Sequence, residues 1–357
     1  MAEESQDFLR NYRISIIRKT ALLVASIIIV VLFVGLMSVS VCQDIPLSRV
    51  YEYIWNHICG TEYVPRSEEW WNDRFIWNRS IPRCIGAILA GAGLAAAGAM
   101  MQSLMNNPLA DPYSTGISSG ACLGAVSAII VGVSFASFSS ETSTIVFAFF
   151  GAIIPALIII LISTRILMTP ATLILMGTAI SYFFNSMVTY LMVTTDADSL
   201  QNAYIWQIGS LDSITWGNLP FMAAITLVGI VIILMLSKQL NILSLGDASA
   251  KTLGLDVKNF RIVCLILMAL ITAGIVSFTG ILGFIGLVTP HIVRMIVGSD
   301  NKFVIPISMA FSAALLLVAD YLSLTVIHVQ VGAVLALIGS PIFFFLIVHQ
   351  KKGRGIY

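Results

Sequence analysis

Long apolar runs separated by short polar ones dominate this chain, at lengths that suit membrane helices better than strands. Ten segments carry the pattern: residues 20–42, 81–105, 114–133, 143–162, 170–194, 219–237, 260–277, 281–297, 304–325 and 331–348. Each is long enough, or nearly so, to cross a hydrocarbon core about 30 Å thick as a helix. Pro82, Pro170 and Pro220 stand where helices begin, a position at which a missing N–H costs little. Pro155, Pro290 and Pro341 fall inside apolar runs and are expected to kink or interrupt them. The predicted fold is an all-α integral membrane protein with ten transmembrane helices. A single transmembrane domain covers 1–357, with a polar segment at 1–19, a long loop at 43–80 and a polar connection at 243–258.

The second run places small residues at Ala87, Gly91, Ala95 and Ala99, with Gly86, Ala90 and Gly98 beside them. Small residues every fourth position let helix backbones approach closely. This helix is therefore expected among other helices and away from lipid. Spans two and seven would enter from opposite sides, so spans two to five and seven to ten can form an inverted repeat.

Composition supports the membrane reading. Of 357 residues, 58% are hydrophobic and 10% charged, and the mean hydropathy is +0.95. Soluble domains carry roughly 25% charged residues. The net charge of +1 leaves no footprint for nucleic acid, and none is expected as a partner. The run 21–41 follows Arg10, Arg13, Arg18 and Lys19. It exceeds the core of a signal peptide, about 7–15 residues, and ends without a small-residue cleavage site, so it reads as a retained helix. The five cysteines, Cys42, Cys59, Cys84, Cys122 and Cys264, show no metal-ligand spacing. Cys42 and Cys59 share one loop and can pair there; unpaired small apolar residues are the stronger reading.

Basic residues set the direction. With the N-terminus inside, fourteen Lys and Arg lie on the cytoplasmic side. They include Arg165, Lys238, Lys251, Lys258, Arg261, Arg294, Lys302, Lys351, Lys352 and Arg354. Five (Arg49, Arg66, Arg74, Arg79 and Arg83) lie outside, accompanied by acids such as Asp44. Ten spans return the C-terminus to the cytoplasm, in a multi-pass protein of the cell membrane. All six tryptophans then fall outside, more simply as a belt at the lipid headgroups than as a docking face.

Several motifs carry little chemistry. Gly116-Ile117-Ser118-Ser119-Gly120 fits the GxSxG nucleophile elbow but lacks the preceding strand that elbow needs, so small residues for packing explain it better. Asp320 is the only carboxylate inside an apolar run, thin support for an ion-coupled carrier. No lysine follows a glycine, so no GxxxxGK[ST] phosphate cradle exists, and ATP-driven work must come from a partner. The stretch 243–258, "LSLGDASAKTLGLDVK", is a short amphipathic piece with mixed charge. It reads either as a solvated loop or as a helix along the membrane offered to a cytoplasmic partner. Asn106–Tyr113 is a tight turn in which Pro108 and Pro112 forbid helix continuation and Asp111 can cap the next helix.

Four blocks in order resemble the ten-span permease family of ATP-binding-cassette importers for iron–siderophore chelates, haem and cobalamin. They are "IPRCIGAILAGAGLAAAGAMMQSLMNNPLADP" from Ile81, "LGDASAKTLGLDV" from Leu245, "GFIGLVTPHIVRMIVGSDNKFVIP" from Gly283 and "VGAVLALIGSPIFFFLI" from Val331. The likeness extends over nearly the whole chain from Arg79. It implies a non-enzymatic transport subunit working as a homodimer around a central path. Two ATPase subunits, which use ATP and Mg, would bind below, and a substrate-binding protein would dock outside. No cofactor or metal would be bound by the chain itself. The favoured cargo is an iron chelate (siderophore or haem), with cobalamin as the alternative; an ion-coupled carrier and a membrane hydrolase are the readings from other classes.

The resemblance also implies roles for residues. ATPase coupling falls to Gly246, Asp247, Lys251 and Gly254, with His291 and Arg294 on the same side; a buried packing role for His291 is the alternative. Span five would line the path with Met176, Tyr182, Asn185, Met187 and Tyr190, though residues at helical spacing are also what a core presents. Thr169, Pro170 and Ala171 match the inner gate, with an atypical proline. Arg79 and Arg83 fall where the family docks its binding protein, Arg79 displaced by one place from the usual arginine-x-proline-arginine. Leu324, His328, Gln330 and Ile281 replace residues the family usually writes there.

Overall fold

The computed structural model describes residues 2–42, 45–132, 140–163, 165 and 169–350, with side chains from 13 onward except those of 41, 347, 349 and 350. Position 133, Asp44, Lys351, Lys352, Arg354 and the side chain of Arg10 lie outside that set. Every regular element among the described residues is helical.

At the centre stands α4 (Ile81–Leu104), the second apolar run. Its membrane-length window is 89% buried, as the small-residue pattern predicts. Ala87, Ala95 and Ala99 have no exposed surface. Around it pack α9 (Leu219–Met235), α12 (Val257–Thr279), α13 (Ile285–Val297) and α14 (Asn301–Leu322). At Gly98 the approach to α13 is so close that any Cβ would fall on the carbonyl oxygen of Gly286. Lipid tails are as apolar as these side chains, so contact has to come from fit of this kind.

The peripheral helices are looser. In α1 (Ala2–Val41), α6 (Ser140–Ser163) and α7 (Pro170–Val193), less than a third of each window is buried. The remaining apolar segments are α5 (Ile117–Val131) and α15 (Val331–Gln350). Among the described residues six helices are long and apolar enough to cross a membrane, and α9 joins them if its 57° bend into α10 (Ser237–Leu243) lies within one span. Three expected spans are shorter apolar helices: Ile117–Val131, Ile285–Val297 and Val331–Leu346. The thirteen residues of α13 reach only about 20 Å at 1.5 Å per residue. The expected run at 281–297 begins late because Gly280 and Phe284 take positive φ angles, of 64° and 68°.

Two further expectations change. Pro155, Pro290 and Pro341 each sit inside a continuous helix and interrupt none; a proline removes one backbone bond, and tertiary packing can carry the loss. The loop at 43–80 is largely helical: α2 (Leu47–Ile58), α3 (Glu68–Phe75) and a widened π turn, Ile76–Ser80, that runs into α4. A second π turn, Ser323–Ile327, follows α14. Cys42 and Cys59 are both free thiols, the former buried and the latter exposed.

The six tryptophans do not form one class. Trp55 and Trp71 are exposed, while His57, Trp77 and Trp216 stack in a column with ring centroids 4.1 and 5.2 Å apart. Trp216 donates its indole N–H to the Trp77 carbonyl at 2.7 Å, tying the loop after α8 (Ala197–Ile208) to the outer helices. The Asn106 turn forms as expected: Asp111 accepts the Tyr113 N–H at 3.3 Å and caps a single 3₁₀ turn, Pro112–Thr115, before α5.

Candidate functional site

Each end of α4 carries a polar assembly, and the open face of α7 lies to one side. At the N-terminal end, Arg83 points its guanidinium fork at Asp320 of α14. Nε and Nη2 donate to the two carboxylate oxygens at 2.8 and 2.7 Å. Arg83 is 8% exposed and Asp320 is fully buried. The third nitrogen, Nη1, donates to Asp212 in the loop after α8, so one arginine joins two helices and a loop. The π turns that end α3 and α14 flank this pair. Burial raises the Asp212 carboxyl, but Arg83, a hydrogen bond from Ser210 and the charge of Arg79 outweigh it and hold it below its usual value.

This geometry corrects the docking role expected of Arg83, whose donors are committed inside the fold. Arg79 stays exposed and is the member of the pair with a free surface. Asp320 has a fixed cationic partner, unlike the free carboxylate that an ion relay would use. Asp212 also lines a cavity of about 610 Å³, together with Thr144, Asn202, Ser210, Ser277 and Thr279. Its hydroxyls suit water. Among the described residues no three His, Cys, Asp or Glu side chains converge to hold a metal.

Along α7, burial is confined to Leu173, Gly177, Phe184 and Val188, a narrow stripe facing α5 and the Pro112–Thr115 turn. The rest is open. Tyr182 is 72% and Tyr190 70% exposed, with Asn185, Ser186, Met187 and Thr189 also uncovered. Of the five expected path residues only Met176 turns inward, against the main core. Pro170 occupies the first turn of α7, where its lost N–H is harmless. Thr169 caps that turn by accepting the Thr172 N–H at 3.2 Å, and Ala171 is exposed. The atypical proline at this position thus starts a helix.

The predicted coupling segment contains α11 (Asp247–Thr252). Gly246 and Gly254, with φ of 93° and 84°, bracket it, and an added Cβ would meet nothing at either. Backbone conformation is therefore what requires glycine there. Lys251 is exposed, and the exposed Leu245 and Leu253 flank the helix, an apolar edge fit for a protein partner. Asp247 is engaged within the chain: Arg261 donates to both its oxygens at 3.0 and 2.8 Å.

His291 is 3% exposed and neither ring nitrogen has a hydrogen-bond partner. That burial fits the packing alternative. Arg294 is half-buried and gathers acceptors from α4 and the turn into α14. Spacing rules missed these contacts, since Arg83 and Asp320 stand 237 residues apart. The available signal was chemical: a lone ion in each of two apolar runs requires a partner.

A helical membrane protein with one open face and an exposed apolar edge beside a short polar helix has the build of a transport subunit, and comparison with known proteins agrees. The sequence pattern of the FecCD transport family matches residues 25–349. The chain is 34% identical over 312 residues to the hemin transport system permease HmuU of Yersinia pestis, covering 86% of this chain and 90% of that one. It is 34% identical over 279 residues to the cobalamin import system permease BtuC of Halobacterium salinarum, covering 76% and 72%. An ABC transporter of the metal-chelate type, solved in an inward-facing conformation, superposes with a TM-score of 0.78 at 26% identity, over 92% of this chain and 99% of that one. The chain belongs to the FecCD transport family: it is a multi-pass integral membrane permease subunit of an ABC transporter and not itself catalytic.

Arg83→Ala strands a buried carboxylate and is expected to cost about 3–5 kcal/mol, whereas Arg83→Met with Asp320→Leu recovers most of it. Thermal unfolding in detergent measures both, and equal losses would refute the pairing. Asp111 generates a second expectation. It keeps some exposed surface, but the protein packed around it pushes its carboxyl from 3.8 up to about 6, against the Tyr113 hydrogen bond. A raised carboxyl favours the protonated fold, so stability from this group is full below 3.8 and lost as pH rises through about 6. Asp111→Asn is expected to flatten that fall in melting temperature.

Proposed function

We propose that this chain forms the translocation path of an ATP-driven importer for an iron chelate, a siderophore complex or haem. Two copies enclose the path, two cytoplasmic ATPase subunits dock at 243–258, and an external binding protein delivers cargo to the rim around Arg79. The open face of α7 carries this reading. Asn185, Tyr182 and Tyr190 would leave polar groups in hydrocarbon if α7 faced lipid, and such groups are found facing a bundle interior or a water-filled cavity. A second copy covering that face makes it the wall of a path and gives the lone permease its partner.

In this reading all ten apolar segments cross, the short ones being completed by irregular backbone inside the protein. Spans two to five and seven to ten repeat in inverted order, and both termini are cytoplasmic. ATP and Mg act at the ATPase subunits, and the permease binds no cofactor. Nucleotide binding favours one of two helix packings and so alternates access. The hemin permease among the relatives supports an iron chelate, and the cobalamin permease supports the second reading.

The test is uptake into liposomes by the permease co-purified with its ATPase and binding protein, using a ferric hydroxamate, haemin and cobalamin in parallel. ATP-dependent accumulation of one iron chelate is expected. Accumulation of cobalamin alone would move the cargo to the second reading. Uphill accumulation by the permease alone, driven by an ion gradient, would overturn the importer.

A further inference from the structure

The inner end of α4 holds a hydrogen-bonded chain that leads to the coupling segment. It begins in α10, the short helix that ends three residues before Gly246 starts the coupling turn. Leu240 and Leu243 bury α10 against the core, and Asn241 reaches to the start of α14. There its Nδ2 donates to Asp300 Oδ1 at 2.7 Å, and its Oδ1 accepts the Asn301 N–H at 2.8 Å. One amide therefore satisfies an otherwise free donor at a helix N-terminus and grips the residue that caps it.

Asn301 continues the chain. It has no exposed surface, and its Oδ1 accepts from Arg294 Nη2 at 2.8 Å and from Ser103 Oγ at 3.0 Å. Arg294, on α13, spreads over the last turns of α4. Nη2 also donates to the Ala99 carbonyl at 3.0 Å and to Ser103 Oγ at 2.8 Å, and Nε to Gln102 Oε1 at 3.2 Å. Gln102 closes the set by donating to the Leu287 carbonyl of α13 at 3.0 Å. Gln102 and Ser103 are themselves buried. Four helices, α10, α13, α14 and α4, thus meet through side-chain amides and one guanidinium.

We infer that Asn241, Asn301 and Arg294 form the link that makes the α4 core follow the coupling helix when the ATPase subunits move. They act as positioning residues; contact with the ATPase itself falls to the exposed edge of α11. Two features favour a link over ordinary packing. The contacts are directional and multiply shared, so the parts they join resist sliding. They also bridge the element next to the docking edge to the most buried helix of the protein. A force applied at α11 has a second tether, Asp247 to Arg261, which passes to α12.

This inference rests on the importer reading, and the experiment separates the two. Tyr182→Cys, in a Cys59→Ser background that removes the exposed native thiol, reports on the open face of α7 in the permease–ATPase complex. The readout is its rate of reaction with a maleimide, with and without ATP and Mg, beside ATP turnover. Without further change, ATP is expected to alter the rate by about fivefold or more, the scale of ordinary coupling between sites. Asn241→Leu and Asn301→Leu are expected to reduce that response to less than about twofold while the complex still assembles and hydrolyses ATP. Asn301→Asp should restore the response, because only the oxygen of Asn301 is used and its Nδ2 has no partner.

Asn→Leu variants that keep the full response would overturn the link. So would variants that lose ATP turnover and assembly in step with the response, or an Asn301→Asp variant that behaves like Asn301→Leu. A parent complex that hydrolyses ATP without any change at position 182 would overturn the importer reading, and the link with it.

Discussion

In a bilayer no water drives apolar faces together, so a helix can gather others only by letting their backbones come close and by keeping its own polar ends satisfied. That constraint shapes α4. Its small residues admit α13 and α14 to backbone contact. Its two ends are held by arginines, Arg83 reaching out to Asp320 and Arg294 reaching in from α13. A buried ion pair is poor evidence of net stability, since two hydrophobic residues of similar size often serve as well. What the Arg83–Asp320 pair supplies is register: the fork fits the carboxylate in one alignment of α4 against α14, and Asp212 brings the outer loop to the same point.

The contrast with α7 gives the molecule its mechanical sense. One face of that helix holds to α5 through a narrow apolar stripe, and the opposite face exposes tyrosines, an asparagine and hydroxyls. Threonines 178 and 189 and Ser186 return their hydroxyls to carbonyls one turn back, so these groups need no partner outside the helix, and they lie among exposed apolar residues such as Leu175, Phe183 and Val193. A close-packed body beside a lightly held helix is suited to alternating between two packings, because cores are bistable and do not deform smoothly.

Much of this was legible in the residues. Hydropathy located every long helix, and the repeat of alanine and glycine from 86 to 99 marked α4 as the buried one. Charge bias separated the two ends that Arg83 and Arg294 occupy. Lengths were less legible: positive φ at Phe284 and the bend after Met235 come from tertiary packing that apolar composition does not encode. Side-chain roles misled most where a charge near a membrane surface was read as reaching outward. Arg83 is buried against Asp320 and Asp247 is held by Arg261, because an ion beside hydrocarbon takes the nearest internal partner, and only the fold says which partner is near.

A permease built this way should move α4 and its neighbours as one body relative to α7. Hydrogen–deuterium exchange of the permease–ATPase complex in nanodiscs, with and without ATP and Mg, reads that motion segment by segment. Amides of 81–104 are expected to stay protected and unchanged in both states, while those of 170–208 change on adding nucleotide. Exchange across 81–104 that is as fast and as nucleotide-sensitive as that of 170–193 would contradict the rigid-body picture.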